Sequence, residues 1–542
     1  MGQEINIDRI RDLEKQIEEG SGDLIKLKRA RNSLLNISTI VPPEILGSIF
    51  RWNVVLDEGL LPSVGLPKGA YNFLLVCHHW SEVASHTPEL WGFWGDTLEK
   101  WSRRYKRSRA TPVDLVLKGP QTRGSATSFH GPLRNALRDH AAYDSIRSVH
   151  LQNKKRSLAT SILSTLTPDG EDVRCSSIEL INLRHVDASK FFARYRFPKL
   201  RYLDLSTGVG ISSWEDIALR TTALTTLTLT IDDAPHVLTT PQLLLILASN
   251  PRLRNLTLSK NMIPQDNEHE PAVTVPLRHL KKLSLSGDFH PVSQLLCRLD
   301  HPETMDLVKL SVSRCTVEDI SGPLGLCVGG YIRRDGRYRD GLGFRVTSLG
   351  NQISIQASAV SSVTVPVQKV VFAEFIVILE RLPPFREEDK LCIKFFAHVP
   401  REHVVYFCGN LGTDTLREAV AAMPKIQELH LFGPQVYDGF LLPDLGGPHA
   451  KKKLLPSLRH LHLDEVFLSQ IGWSPIIPFL THQTSDGQGI SLTISGPCKH
   501  ICKYALRKMG RLVEGLVLNI ALPEYCPYGY CGKRGRRRDI RW

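Results

Sequence analysis

Leu-Arg-Tyr-Leu-Asp-Leu, residues 200–205, is the stretch from which the rest of this chain can be read. Its leucines stand at the first, fourth and sixth positions, and the same spacing returns at Leu224/Leu227/Leu229, Leu253/Leu256/Leu258, Leu280/Leu283/Leu285 and Leu458/Leu461/Leu463. Versions with isoleucine or valine occur at Ile146/Val149/Leu151, Ile178/Ile181/Leu183, Leu307/Leu310/Val312, Ile426/Leu429/Leu431 and Val513/Leu516/Leu518. The last apolar residues of each copy alternate with polar ones, the period of a strand with one face buried. Most neighbouring copies are about 22–32 residues apart, so a return segment fits between them. One such unit cannot bury its apolar face alone. Stacked neighbours can, which predicts a solenoid of the α/β class. Residues 242–248 and 292–299 are the candidate return helices.

This spacing resembles that of leucine-rich repeats. Two copies follow the longer pattern, Leu253 through Asn261 to Ile263 and Leu307 through Cys315 to Val317. Asn261 and Cys315 would there satisfy backbone groups inside the turn after the strand. Solenoids of this kind bind through the residues between the leucines. By position in the repeat these are Arg201, Tyr202, Asp204, Thr225, Thr226, Thr228, Arg254, Asn255 and Thr257, the candidate contacts to a target protein. The pattern lapses between Val317 and Ile426. Residues 324–345 read as a hairpin-like insertion or a loop, 372–382 as helix, 391–396 as strand and 415–423 as helix.

Upstream stand two short blocks, V-P-P-E-I-L-G-S-I-F at 41–50 and a second at 74–91 that contains L-L-V-C-H-H-W and closes on P-E-L-W. Pro42 and Pro43 suit the start of a helix, and Glu44 in its first turn suits the helix dipole. Ile45, Leu46, Ile49 and Phe50 make one apolar stripe; Leu74, Leu75, Val76, Trp80 and Val83 make another. Fewer than about forty residues of such helix form a marginal core alone, so the surplus apolar surface calls for a partner.

The blocks resemble an F-box at Pro42 or Pro43, Glu44, Ile45, Leu46, Ile49, Phe50, Val76, Cys77, Trp80, Leu90 and Trp91. Val41 stands where the family usually has leucine, and residues 51–72 form a longer spacer than the common one. That stretched form, together with the irregular repeats, is similar to the expanded F-box-like family of mushroom-forming fungi. The resemblance implies an N-terminal helical F-box module followed by a leucine-rich-repeat solenoid. It further implies that Pro42, Ile45, Leu46, Ile49, Phe50, Leu75, Val76 and Trp80 bind a Skp-type adaptor, and through it a cullin ubiquitin ligase. The repeats would hold a target protein. The alternative is a leucine-rich-repeat scaffold not engaged in ubiquitination, whose F-box-like helices pack internally.

The expected organisation is an amphipathic helix over 1–36, the F-box-like domain over 37–95, the array over 110–523 with an irregular insertion near 318–365, and a basic tail over 524–542. In residues 4–35, Ile10, Leu13, Ile17, Leu24, Leu27 and Leu34 follow heptad spacing. Gly20 and Arg31 interrupt it. This leaves open a short coiled coil or a helix packed on its own module. The net charge of +13 is spread, with clusters at 103–109, 154–156, 451–453 and 533–538. No aromatic-interleaved basic motif accompanies it, so nucleic acid is not an expected partner. The last cluster, K-R-G-R-R-R, resembles a nuclear import patch.

The N-terminus is polar from Gln3 on and no run reaches membrane-helix length, so neither a secretory leader nor a membrane partner is expected. The 11 scattered cysteines fit reduced thiols of a cytoplasmic or nuclear protein. P-loop, G-x-S-x-G, dinucleotide-binding and H-E-x-x-H motifs are absent. The expectation is therefore a non-enzyme without cofactor. Cys498, His500, Cys502, Cys526 and Cys531 lack standard zinc spacing, so no metal site is expected.

Overall fold

The structure, a computed structural model, describes residues 7–18, 24–33, 41–56, 73, 76–94, 111–118, 146–152, 163, 173–231, 238–264, 273–302, 305–313, 325–334, 342–349, 352–360, 371–380, 401–409, 418–432, 455–464, 476–487, 489–495 and 503–519. The chain divides into two compact units, residues 1–264 and 265–542.

The first unit begins with helices. α1 (Ile7–Glu18) and α2 (Leu24–Ser33) pack against one another, so the heptad run is two helices rather than one rod. Ile10, Leu13 and Ile17 on α1 and Leu27 on α2 are half-buried. Gly20 and Gly22 lie in the sequence between them, where each glycine costs a helix about 1 kcal/mol. α3 (Pro43–Leu56) packs on α4 (His78–His86), and α2 also touches α4. The Cys77 thiol caps α4 by accepting the Trp80 N–H at 3.4 Å. A 3-10 turn over Pro88–Trp91 follows. The Trp91 indole donates to the Ala84 carbonyl at 2.7 Å, which ties that turn back onto α4.

β1 (Phe93–Trp94) then pairs in parallel with β2 (Val113–Lys118) and opens the sheet. β3 (Ile146–Gln152), β4 (Leu180–Arg184), β5 (Tyr202–Ser206), β6 (Thr226–Thr230) and β7 (Asn255–Leu258) follow in chain order, each parallel to the last. Registration puts the repeat leucines in rows: Val149, Ile181, Leu203, Leu227 and Leu256 in one, Leu151, Leu183, Leu205, Leu229 and Leu258 in the next. All ten are at most 1 % exposed. Helices α5 (Ser189–Arg194), α6 (Trp214–Arg220) and α7 (Thr240–Ala248) form the return layer, α6 packing on both neighbours. Thr239 and Gln242 close a reciprocal capping box at the start of α7.

Among the described residues of this unit Asn261 is exposed and the buried side-chain amide is Asn250. Its Oδ1 accepts the Leu224 N–H at 3.0 Å and its Nδ2 donates to the Ile246 carbonyl at 2.8 Å, joining successive repeats. Cys315 lies outside the described residues.

In the second unit β8 (Lys282–Asp288) and β9 (Leu307–Ser313) are parallel, with α8 (Phe289–Arg298) between them in sequence. α9 (Gly325–Arg334) is fixed to the approach to β9 by Tyr331, whose hydroxyl accepts from the Met305 N–H and donates to its carbonyl. Then comes a departure from the repeat. β10 (Leu342–Leu349), β11 (Gln352–Val360) and β12 (Val371–Glu380) form an antiparallel meander. It enters the sheet in reverse order: β12 lies parallel to β9, and β10 lies parallel to β13 (Val404–Gly409). β14 (Glu428–Phe432), β15 (His460–Asp464), β16 (Ser491–Ser495) and β17 (Gly515–Asn519) complete the parallel run. Helices α10 (Ile476–Gln483) and α11 (Lys503–Leu512) pack together beside them.

Of the helix expected at 372–382, residues 372–380 are strand. Within 324–345 the structure holds a helix and the first arm of a hairpin. Of 415–423, residues 418–421 are helical, and 391–396 fall outside the described residues. Among the described residues no helix is long and apolar enough to cross a membrane.

Candidate protein-interaction surfaces

α3 carries two adjacent stripes with opposite fates. Leu46 is 2 % and Phe50 0 % exposed, whereas Ile45 is 54 % and Ile49 47 % exposed. Leu46 and Phe50 belong to a core with Phe73, Val83, Ala84, Leu90 and Trp91. Phe50 stacks on Phe73 at 4.2 Å between centroids and meets Trp80 at 5.1 Å. Gly47 lets the helix approach closely: a Cβ there would stand 3.0 Å from Thr87 Oγ1. Pro42, Pro43 and Glu44 are exposed beside Ile45. Of the expected adaptor contacts, then, Pro42, Ile45 and Ile49 are on the surface, Val76 and Trp80 are half-buried, and Leu46 and Phe50 hold the helix in place from inside. Leu75 lies outside the described residues.

The second surface is the face of the first unit's sheet opposite its leucines. Strand alternation puts Tyr202, Thr226 and Asn255 in one row and Asp204, Thr228 and Thr257 in the next. Asn255 Nδ2 donates to Thr226 Oγ1 at 3.0 Å. Arg201 and Arg254 are exposed just before their strands, where Thr225 N–H donates to the Arg201 carbonyl and Arg254 N–H to the Thr225 carbonyl, both at 2.7 Å. The structure therefore brings Tyr202, Asp204, Thr226, Thr228, Asn255 and Thr257 to one face, Asp204 being buried there, while Arg201, Thr225 and Arg254 stand at the approach to the strands.

The same rows continue through residues the sequence reading did not single out. Asp114, Ser148 and Leu180 extend the first, and Val116, His150 and Asn182 the second. Ser148, His150, Leu180 and Asn182 follow from the spacing of their valine and isoleucine copies, and the register adds Asp114 and Val116. Asp114 is held by Arg147 and by the Ser148 hydroxyl, which donates to its Oδ1 at 2.7 Å. That carboxylate keeps the Arg147 guanidinium more firmly protonated than usual. Burial pushes the His150 imidazole down to about 4, against the pull of Asp114, so it is neutral at physiological pH.

Asp204 is lifted above its ordinary value by burial, while the Ser206 hydroxyl, Arg184 and the Tyr202 hydroxyl oppose the shift. Tyr202 is pushed up to about 12 by burial and then by the Asp204 charge. Apart from Val116 and Leu180 the rows are polar, and Asp114, Ser148, His150 and Asp204 in them are buried.

The basic clusters and the cysteines and histidine near the C-terminus (Cys498, His500, Cys502, Cys526 and Cys531) lie outside the described residues. Among the described cysteines Cys77, Cys175 and Cys408 are buried and Cys297 is exposed.

No protein-family model matches the chain, and no curated protein matches it. Among solved structures, the leucine-rich repeat-containing protein LegL7 from Legionella pneumophila is similar over 70 % of this chain and 90 % of that one, at 12 % identity and a TM-score of 0.23. The repeat architecture itself rests on the register and burial of the chain's own leucines: a leucine-rich-repeat-like parallel sheet with helices in its return layer.

Proposed function

We propose that this chain is a non-catalytic substrate-recognition adaptor of a Skp-cullin-F-box ubiquitin ligase. The observation that carries the reading is the division of α3: Leu46 and Phe50 fasten the helix, and Pro42, Ile45 and Ile49 are left uncovered on one face. In the F-box-like motif these are positions the resemblance assigns to the Skp-type adaptor. The polar sheet face of the repeats takes the target protein. The chain makes and breaks no bond; it raises the effective concentration of target lysines at the conjugating enzyme.

The test is co-purification of the full chain with a Skp-type adaptor, wild type against Ile45→Asp/Ile49→Asp. A complex lost in the variant while the variant melts like wild type supports the reading. A well-folded wild type that forms no complex overturns it. A second reading, a protein-binding repeat scaffold outside ubiquitination, is favoured by a different observation. The helical cluster is joined to the sheet through the β1–β2 pairing and the Asp114 N–H to Gly92 carbonyl bond of 2.7 Å. On that reading the cluster caps the solenoid and the adaptor fails to bind.

A further inference from the structure

We propose that Glu428, His430 and His462, on the second unit's sheet, bind a divalent transition metal of the zinc class. The two strands read E-L-H-L-F (β14) and H-L-H-L-D (β15). Strand alternation puts Glu428 and His430 on one face while Leu429 and Leu431 go to the core, and the same holds for His460 and His462 against Leu461 and Leu463. The parallel register then sets His430 directly beside His462 and Glu428 beside His460. The donor atoms of Glu428, His430 and His462 all lie within 4.8 Å of one another, and each residue is half-buried. The two imidazoles are tilted against one another, centroids 3.7 Å apart and planes 33° from parallel. Tyr406 on β13 meets His430 edge-on at 5.1 Å and supports its ring from the other side.

Two imidazoles and one carboxylate are the donor set of zinc-class ions, not of calcium or magnesium, which take oxygen. In a tetrahedral site with metal–ligand bonds of about 2.0–2.1 Å the donors stand about 3.3 Å apart. Closing the present cluster therefore needs movements of about 1.5 Å or less, within reach of side-chain torsions whose terminal wells are broad. Three protein donors leave a coordination position open for water.

The experiment uses the full chain stripped with a chelator, titrated with Zn2+ by calorimetry and with Co2+ by visible absorption. Wild type is expected to take up one equivalent more zinc than His430→Ala/His462→Ala, and cobalt is expected to show tetrahedral bands without thiolate charge transfer. Cys498→Ser/Cys502→Ser should keep this equivalent, which separates it from uptake by the C-terminal cysteines. Glu428→Gln, which preserves side-chain shape, should weaken the site at least tenfold and serves if the double alanine variant does not fold. Equal zinc stoichiometry and affinity in wild type and the histidine variant, or in wild type and Glu428→Gln, would overturn the assignment.

Discussion

Replacing Ile45 and Ile49 by alanine should weaken adaptor binding and leave folding intact, while replacing their neighbour Leu46 should do the reverse. Fully burying an isoleucine is worth about 1.5–3 kcal/mol. Ile45 is 54 % and Ile49 47 % exposed, so about half of each is still available to a partner. Covering the remainder contributes about 1 kcal/mol per residue, about 2 kcal/mol for the pair. That corresponds to roughly a 30-fold rise in Kd for Ile45→Ala/Ile49→Ala. The cost to folding should stay within about 0.5 kcal/mol, as for other surface changes. Leu46→Ala opens a cavity against Phe50, Trp91 and their neighbours and should cost about 2–5 kcal/mol of stability. Calorimetric titration with the Skp-type adaptor and urea unfolding of the same three samples read the two effects separately. An unchanged Kd in Ile45→Ala/Ile49→Ala at unchanged stability refutes the docking face. Loss of stability in that variant equal to Leu46→Ala refutes the division of the helix into two stripes.

Three further outcomes follow from the first unit. His150 takes up a proton in the unfolded chain near pH 6.5 but in the folded one only near about 4, so its contribution to stability is full above pH 6.5 and falls away as pH drops to about 4. Between pH 7 and 4.5 wild type should lose about 2–3 kcal/mol more than His150→Gln in urea unfolding, and parallel losses would show that the imidazole is not buried neutral. Asn250→Ala leaves the buried Leu224 N–H without its acceptor and should cost about 1–3 kcal/mol, read from the same unfolding curves; a neutral result would deny the amide its bridging role. Gly208 has φ +72° and a Cβ there would come within 2.5 Å of His185 Nδ1, so Gly208→Ala should destabilise by about 1–2 kcal/mol, and a melt unchanged from wild type would refute that turn.

The leucine rows were legible because one spacing repeats and each copy alternates in and out. The meander was not. V-F-A-E-F-I-V-I-L-E over Val371–Glu380 is a nearly continuous apolar run, and periodicity alone cannot separate a buried helix from a buried strand. The β-branched residues Val371, Ile376, Val377 and Ile378 were the signal for strand. Its reversed order in the sheet is a pairing between residues far apart in sequence, Val308 with Phe375 and Phe344 with Phe407, which no local pattern encodes. The Glu428, His430 and His462 cluster had a signal of its own. E-x-H and H-x-H occupy the same outward positions of successive repeats, but only the parallel register turns that coincidence into proximity.

The candidate docking helix shows why sequence alone does not say which stripe of a helix is buried by its own chain. In I-L-G-S-I-F both Ile45/Ile49 and Leu46/Phe50 satisfy i, i+4 spacing, and the two stripes differ by a single step of about 100° around the helix. Either could face a partner. What decides is outside the segment: Phe73 and Trp80 supply an aromatic socket for Phe50, and Thr87 lies where only the small Gly47 allows contact. With that side of the helix closed by its own chain, Ile45 and Ile49 are what remains for another. A substitution at Leu46 therefore tests the fold, a substitution at Ile45 or Ile49 tests the partner, and a loss of complex after changing Leu46 alone would say nothing about the docking face.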